Sequence, residues 1–173
     1  MTSYDYRSLI NDYVNFPKQG IIFRDISPLL SHPKAFKLAI KEMSDPFRDS
    51  SIDRVISLES RGFIIGSPIA LELGVGFTPI RKAGKLPGHT LQVPYSLEYG
   101  EASLELQSDV LKPNQNVLLV DDVLATGGTL EAAIRLIKKC GAQIAGVAII
   151  LELKDLCGRD KLSGYEVTTL IQI

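Results

Sequence analysis

VLLVDDVLATGGT, Val117 to Thr129, is the stretch whose reading decides the fold. Val117 to Val120 form an unbroken apolar run, as expected of a strand buried on both faces, and the run closes on two carboxylates, Asp121 and Asp122. Ala125, Thr126, Gly127, Gly128 and Thr129 are small enough for successive backbone N–H groups to converge on one anion at the start of a helix. That helix is marked by Leu130, Ala133, Ile134 and Ile137 at helical spacing, with Arg135, Lys138 and Lys139 suited to its C-terminal dipole and Gly141 as its stop. The carboxyl end of a strand is where open α/β sheets keep ligands. The pattern therefore predicts a phosphate in the turn, with ribose hydroxyls or magnesium at the carboxylates. An ordinary strand-to-helix turn with solvated aspartates is the competing explanation. A Walker site is not, because no lysine follows the glycines.

The same alternation extends to both sides of this stretch. Upstream, Pro33 opens an amphipathic helix carried by Phe36, Ala39, Ile40 and Met43, and Asp53 to Leu58 reads as a short buried strand. Glu59 to Gly62 form a break before a helix from Phe63 to Leu73, stopped by Gly74, and Gly76 to Ile80 is again strand-like. Downstream, Ile144 to Leu151 supplies another fully buried strand. Alternating strands and helices of this kind predict an α/β domain: an open, mostly parallel twisted sheet with right-handed crossovers and helices on both faces. The 173 residues, 45% of them hydrophobic, suit a single domain over 1–173.

Two stretches break the rhythm. Residues 81–107 contain Gly84, Pro87, Gly88 and Pro94, and then Leu104 and Leu106 alternating with Ser103, Glu105 and Gln107 as in a half-buried strand. A long mobile hairpin carried above the sheet is expected there. Residues 1–30 place Ile21, Ile22 and Phe23 before Arg24 and Asp25, which suits a hood or lid.

A net charge of -1 gives no general attraction to polyanions, so nucleic acid is not an expected partner and any anion must be held locally. The longest apolar run, Ile144 to Leu151, is far short of a bilayer span, and Met1 to Ile10 lacks a signal-peptide pattern. A cytoplasmic protein with no membrane partner is expected. Cys140 and Cys157 read as reduced, half-buried thiols, and His32 and His89 as polar surface residues.

A second anion site is suggested by Glu59, Ser60, Arg61 and Gly62, where helix-terminal N–H groups join a guanidinium. Arg81, Lys82 and Lys85 form the densest basic cluster, in a loop suited to closing over a polyanionic leaving group. A solvated charge run competes with that reading for Lys82, and a surface salt bridge for Arg61 taken alone.

Val117 to Thr129 matches the phosphoribosyl pyrophosphate-binding motif of the type I phosphoribosyltransferases, and the resemblance runs along nearly the whole chain. GIIFRDIS (Gly20 to Ser27), ESRG (Glu59 to Gly62), GKLPG around Lys85 and YSLEYG (Tyr95 to Gly100) resemble segments of the adenine-specific members. The resemblance implies transfer of a phosphoribosyl group to adenine, giving AMP and pyrophosphate, with Mg2+ as cofactor and a homodimer as the assembly. It implies that Asp121, Asp122 and Ala125 to Thr129 hold the ribose phosphate, the two aspartates meeting the metal through water or ribose. Glu59, Ser60, Arg81 and Lys82 fall on the pyrophosphate side, with Arg61 and Lys85 catalytic there. Glu98 matches the acid-base residue and Tyr99 its loop neighbour. Phe23 is expected to stack on the base, backbone groups of Ile22 and Arg24 to read its polar edge, and Val123 and Leu124 to line its apolar face. The Glu59-Ser60 peptide is expected to be cis. Two other readings share the phosphoribosyl motif: a 6-oxopurine or xanthine transferase, and a non-catalytic phosphoribosyl pyrophosphate-sensing regulator, which would need a DNA-binding element.

Overall fold

In the computed structural model, which describes residues 4–97 and 100–173, the N-terminal segment folds as its own small unit. Strands β1 (Asn11–Val14) and β2 (Ile22–Asp25) pair antiparallel, Tyr13 opposite Phe23. The pair is largely exposed, with Val14 at 68% and Phe16 at 54%. A short helix α1 (Ser27–Ser31) ties it down, because Ile26 and Leu29 are fully buried. Helix α2 (Pro33–Ser44) follows, its Ala39, Ile40 and Met43 buried as their spacing predicts, while Phe36 is only half-buried and Ala35 is buried beside them. His32 is more than a polar surface residue: its Nδ1 accepts from Ala35 N at 3.2 Å and so caps α2.

The remaining strands form one seven-stranded sheet, β5-β6-β4-β3-β7-β8-β9. Here β3 is Arg54–Leu58, β4 Gly76–Lys82, β5 Thr90–Leu97, β6 Gly100–Gln107, β7 Asn116–Leu124, β8 Gln143–Glu152 and β9 Val167–Gln172. From β4 to β9 all neighbours are parallel. Helix α3 (Arg61–Leu73) crosses from β3 to β4 and helix α4 (Gly128–Lys139) from β7 to β8. Alternation along β7 divides the interior: Val117 and Leu119 pack with α4, while Leu118 and Val120 pack with α2 and α3 on the opposite face. Apolar groups on both faces explain why β7 and β8 read as continuous hydrophobic runs.

Five local expectations need correction. β7 continues through Asp121 and Asp122 to Leu124, since Asp121, Val123 and Leu124 still pair with β8. α3 begins at Arg61, so the ESRG turn supplies its first residues. The hairpin of β5 and β6 does not stand above the sheet; it extends the sheet's edge, with Arg81 opposite Glu105 and Lys82 opposite Leu104. Arg135 and Lys139 of α4 donate to the carbonyls of Pro94 and Gln92, at 2.9 and 3.1 Å, and fix β5 there. Glu105, which alternation placed on the solvent side, is 1% exposed because the preceding loop folds over it. Of the cysteines, Cys140 is half-buried but Cys157 is exposed. Among the described residues no helix is long and apolar enough to cross a membrane.

Candidate active site

β3 and β7 are adjacent and parallel, but their crossovers leave in opposite directions, β3 through α3 to β4 and β7 through α4 to β8. The divergence opens a crevice at the carboxyl ends of the two strands, the place where sheets of this kind bind ligands. Three concavities meet there. The central one, of about 480 Å³, is lined by Glu59, Arg61, Lys85, Asp121, Asp122 and Thr129 among others. A smaller one of about 70 Å³ follows the turn into α4 and shares Asp121 and Thr129. A more apolar one of about 460 Å³, formed by Tyr13, Phe16, Phe23, Asp25 and Ser27, shares Arg61. The three are neighbours, separated by shared wall residues.

The small concavity is the one expected from ATGGT. Gly127 has φ 78°, a left-handed backbone, and no side chain caps α4, so its first N–H groups are left to a ligand. A Cβ on Gly127 would lie 2.4 Å from the carbonyl oxygen of Gly158. Gly158 was not legible as a site residue, yet it packs under the turn so closely that a Cβ there would lie 2.1 Å from the Ala125 oxygen. The 3-10 turn Gly158–Leu162 is held by buried Leu162 and by Arg159, whose Nε and Nη2 donate to Glu152 at 2.8 and 2.5 Å.

Asp121 and Asp122 sit where the central and small concavities join. Asp121 Oδ1 accepts from the Asp122 N–H at 3.0 Å. α3 approaches this carboxylate so closely that a Cβ on Gly62 would lie 2.7 Å from Oδ1, which explains the glycine of ESRG. Arg61 Nε lies 2.7 Å from Asp122 Oδ2, but the N–H is not aimed at that oxygen. Oδ2 and Arg61 Nη1 are both buried without a hydrogen bond. Burial, and then the neighbouring charge of Asp122, push Asp121 well above the usual carboxylate range. Burial also raises Asp122, against the opposing pull of Arg61. The pair is short of donors and of positive charge, a deficit that vicinal hydroxyls or a hydrated cation could make up.

Across the central cleft the balance is reversed. Glu59, 6% exposed at its side chain, receives Arg81 Nε at 2.7 Å on Oε2 and Lys85 Nζ at 2.8 Å on Oε1. Burial works to raise its pKa, but the lysine and arginine outweigh it and hold the carboxyl below its ordinary value. Arg81 also donates to the Lys85 carbonyl at 3.3 Å. Lys82 is exposed and lines the same cleft. Ser60 precedes α3 as its N-cap residue, and the Glu59-Ser60 peptide is cis.

In the apolar cleft the half-buried Phe23 ring meets Phe16 edge-on at 5.3 Å, and the Arg61 guanidinium lies 5.0 Å from the Phe23 centroid. Ile22 is exposed at 44%, and the Arg24 side chain is taken by Asp12 at 2.5 Å. Val123 and Leu124 do not line this cleft. Val123 faces the small concavity, and Leu124, 1% exposed, is turned into the core. Tyr13 and Phe16 provide the apolar walls instead, brought to Phe23 by the β1–β2 pairing, which no local motif announces. Glu98 and Tyr99 lie outside the described residues. Among those described, no group of three or more His, Cys, Asp or Glu residues is placed to hold a metal.

Residues 25–172 match the family model of the phosphoribosyl transferase domain. The chain is 51% identical to an adenine phosphoribosyltransferase of Halothermothrix orenii, over 97% of this chain and 99% of that one. In structure it is similar to an adenine phosphoribosyltransferase of Thermoanaerobacter pseudethanolicus, with a TM-score of 0.94 at 42% identity, covering 98% of each chain. It is equally similar, at a TM-score of 0.94 and 40% identity, to an APRTase of Giardia lamblia complexed with 9-deazaadenine, covering 100% of this chain and 98% of that one.

Proposed function

This chain belongs to the phosphoribosyltransferase family, as an adenine phosphoribosyltransferase, and from that premise we propose how its residues make AMP and pyrophosphate from adenine and phosphoribosyl pyrophosphate. The observation that carries the assignment of roles is the adjacency of three concavities, Arg61 standing between the Phe23 cleft and the central cleft and Asp121 between the central cleft and the small one. Base, pyrophosphate and sugar phosphate each find a chemically matched compartment in that order.

The 5-phosphate sits in the 125–129 turn against main-chain amides, and the ribose hydroxyls donate to Asp121 and Asp122. Adenine lies against Phe23, between Tyr13 and Phe16. Holding both reactants in adjacent concavities removes the entropic part of the barrier. As the bond from the anomeric carbon to the pyrophosphate oxygen breaks, positive charge grows on the ribose and negative charge on the leaving group. The aspartates face the first and Arg61, Arg81 and Lys85 the second. The bond that replaces it forms from the purine N9, whose proton passes to a base; Glu98 takes that role on the strength of its YSLEYG motif.

The unpartnered Oδ2 of Asp122 and the raised pKa of Asp121 fit a cation nearby: the two aspartates would hold Mg2+ through water or ribose, where it would neutralise charge on the leaving diphosphate. A homodimer is the assembly expected from the family resemblance.

The test is a base panel. Protein, Mg2+ and phosphoribosyl pyrophosphate are mixed with adenine, hypoxanthine, guanine or uracil, and nucleotide formation is followed. AMP is the expected product. A preference for guanine or hypoxanthine would select the 6-oxopurine reading, and no nucleotide with any base would overturn an enzymatic role.

A further inference from the structure

We propose that Glu105 is a positioning residue for the reaction: a buried carboxylate that grips the backbone of the basic loop and thereby sets where the Lys85 ammonium meets pyrophosphate. The inference rests on the reading that Arg81 and Lys85 bind the leaving group.

Glu105 stands on β6, on the face that alternation assigns to solvent, between Ser103 and Gln107. A carboxylate buried at 1% exposure is uncommon unless it is paired. No cation pairs with it among the described residues. Its Oε1 instead accepts from the backbone N–H groups of Lys85 at 2.6 Å and Leu86 at 2.7 Å. Its Oε2 is within 3.4 Å of both Thr90 Oγ1 and Gln92 Nε2. Burial works to raise the pKa, yet the N–H groups of Leu86, Gly84 and Lys85 outweigh it and keep the group below its ordinary value. The loop therefore wraps an internal anion much as such turns wrap a bound one, with Gly84 at φ 85° and Gly88 at φ 78° providing the bends.

The consequence for Lys85 is geometric. With its N–H committed to Glu105 and its carbonyl to Arg81 Nη1, its backbone is fixed from two sides, and its ammonium reaches Glu59 across the cleft. Arg81 is tied into the same assembly, directly opposite Glu105 in the β4–β6 register and bonded to Glu59. Two buried carboxylates thus preset the cationic hand, Glu59 from the side chains and Glu105 from the main chain. A loop without Glu105 leaves two N–H groups unsatisfied and Lys85 unanchored. Preset cations need no reorganisation when charge develops on the leaving group.

The experiment compares Glu105→Ala, Glu105→Gln and Lys85→Ala for inhibition by pyrophosphate, the KM for phosphoribosyl pyrophosphate, and the dissociation constant of AMP, which lacks the pyrophosphate group. Glu105→Ala is expected to weaken pyrophosphate about tenfold while AMP binding stays within about twofold. Glu105→Gln, whose amide oxygen still accepts both N–H groups, is expected to recover most of the loss. Adding Glu105→Ala to Lys85→Ala is expected to cost little more than Lys85→Ala alone, since both act through one ammonium. If the alanine variant fails to fold, Glu105→Asp, one methylene short of the loop, is expected to shift pyrophosphate in the same direction. Weaker pyrophosphate in Lys85→Ala with none in the Glu105 variants overturns this inference alone, as does an equal loss of AMP and pyrophosphate. No effect in Lys85→Ala overturns the reading beneath it and the inference with it.

Discussion

In and beside the central cleft, two pairs of carboxylates with little or partial exposure are treated in opposite ways. Glu59 and Glu105 are fully engaged, one by Lys85 and Arg81 and the other by backbone N–H groups, and both ionise more readily than usual. Asp121 and Asp122 are crowded together with one poorly aimed arginine, and both resist ionising. On the proposed assignment of roles, the difference follows what each pair would receive: where an anionic leaving group would bind, acids hold the protein's cations in place beforehand, and where hydroxyls and a cation would bind, acids are left wanting. The deficit at Asp121 and Asp122 is then a cost to the free protein that ligand binding would relieve.

The strongest way to break this contrast is Asp122→Ala, which removes the buried acid facing both Arg61 and the sugar. A loss of roughly 10²–10³ in kcat/KM is expected from steady-state rates. A loss under about tenfold would mean that the aspartate pair is not where charge on the ribose is met.

A smaller effect sharpens the contrast by its sign. Asp121→Asn removes a carboxyl whose ionisation is opposed by burial and by Asp122, so its melting temperature at pH 7 is expected to rise by about 2–5 °C while turnover falls. Glu59→Gln leaves Arg81 and Lys85 without their acid, so its melting temperature at pH 7 is expected to fall by a similar or smaller amount.

Both shifts should fade on acidification. Asp121 has a raised folded pKa, so its stabilising contribution is whole below the ordinary value of 3.8 and is lost as pH rises through the folded value. Glu59 has a lowered folded pKa, so its contribution is present above the ordinary value of 4.5 and is lost as pH falls through the folded value. Melting curves should therefore converge on acidification, Asp121→Asn with the parent as pH falls toward 3.8, and Glu59→Gln with it only below 4.5, as pH falls through the lowered folded value. Shifts of one sign for both variants would contradict the contrast.

How much of this was readable in the sequence depends on how far apart the participants lie. Asp121, Asp122 and the 125–129 turn are contiguous, so one motif placed them, and the buried runs of β3, β7 and β8 gave the sheet. Gly62 was legible as part of ESRG, but its reason, the approach of α3 to Asp121, needed β3 and β7 side by side. Glu105 was misplaced because alternation assumes that the outer face of β6 meets solvent, and a loop folded over it overrides that. Tyr13 and Phe16 reach Phe23 only through strand pairing, and Gly158 reaches the phosphate turn only because Leu162 and Arg159 anchor its own turn. Leu124 went the other way: it sits next to site residues in sequence, but its strand turns it into the core.

A crystal structure with AMP and pyrophosphate bound addresses the central claim most directly. The account predicts the 5-phosphate on the amides of the 125–129 turn, the ribose hydroxyls on Asp121 and Asp122, and pyrophosphate against Arg61, Arg81 and Lys85. A phosphate bound away from that turn, or ribose hydroxyls out of reach of both aspartates, would contradict it.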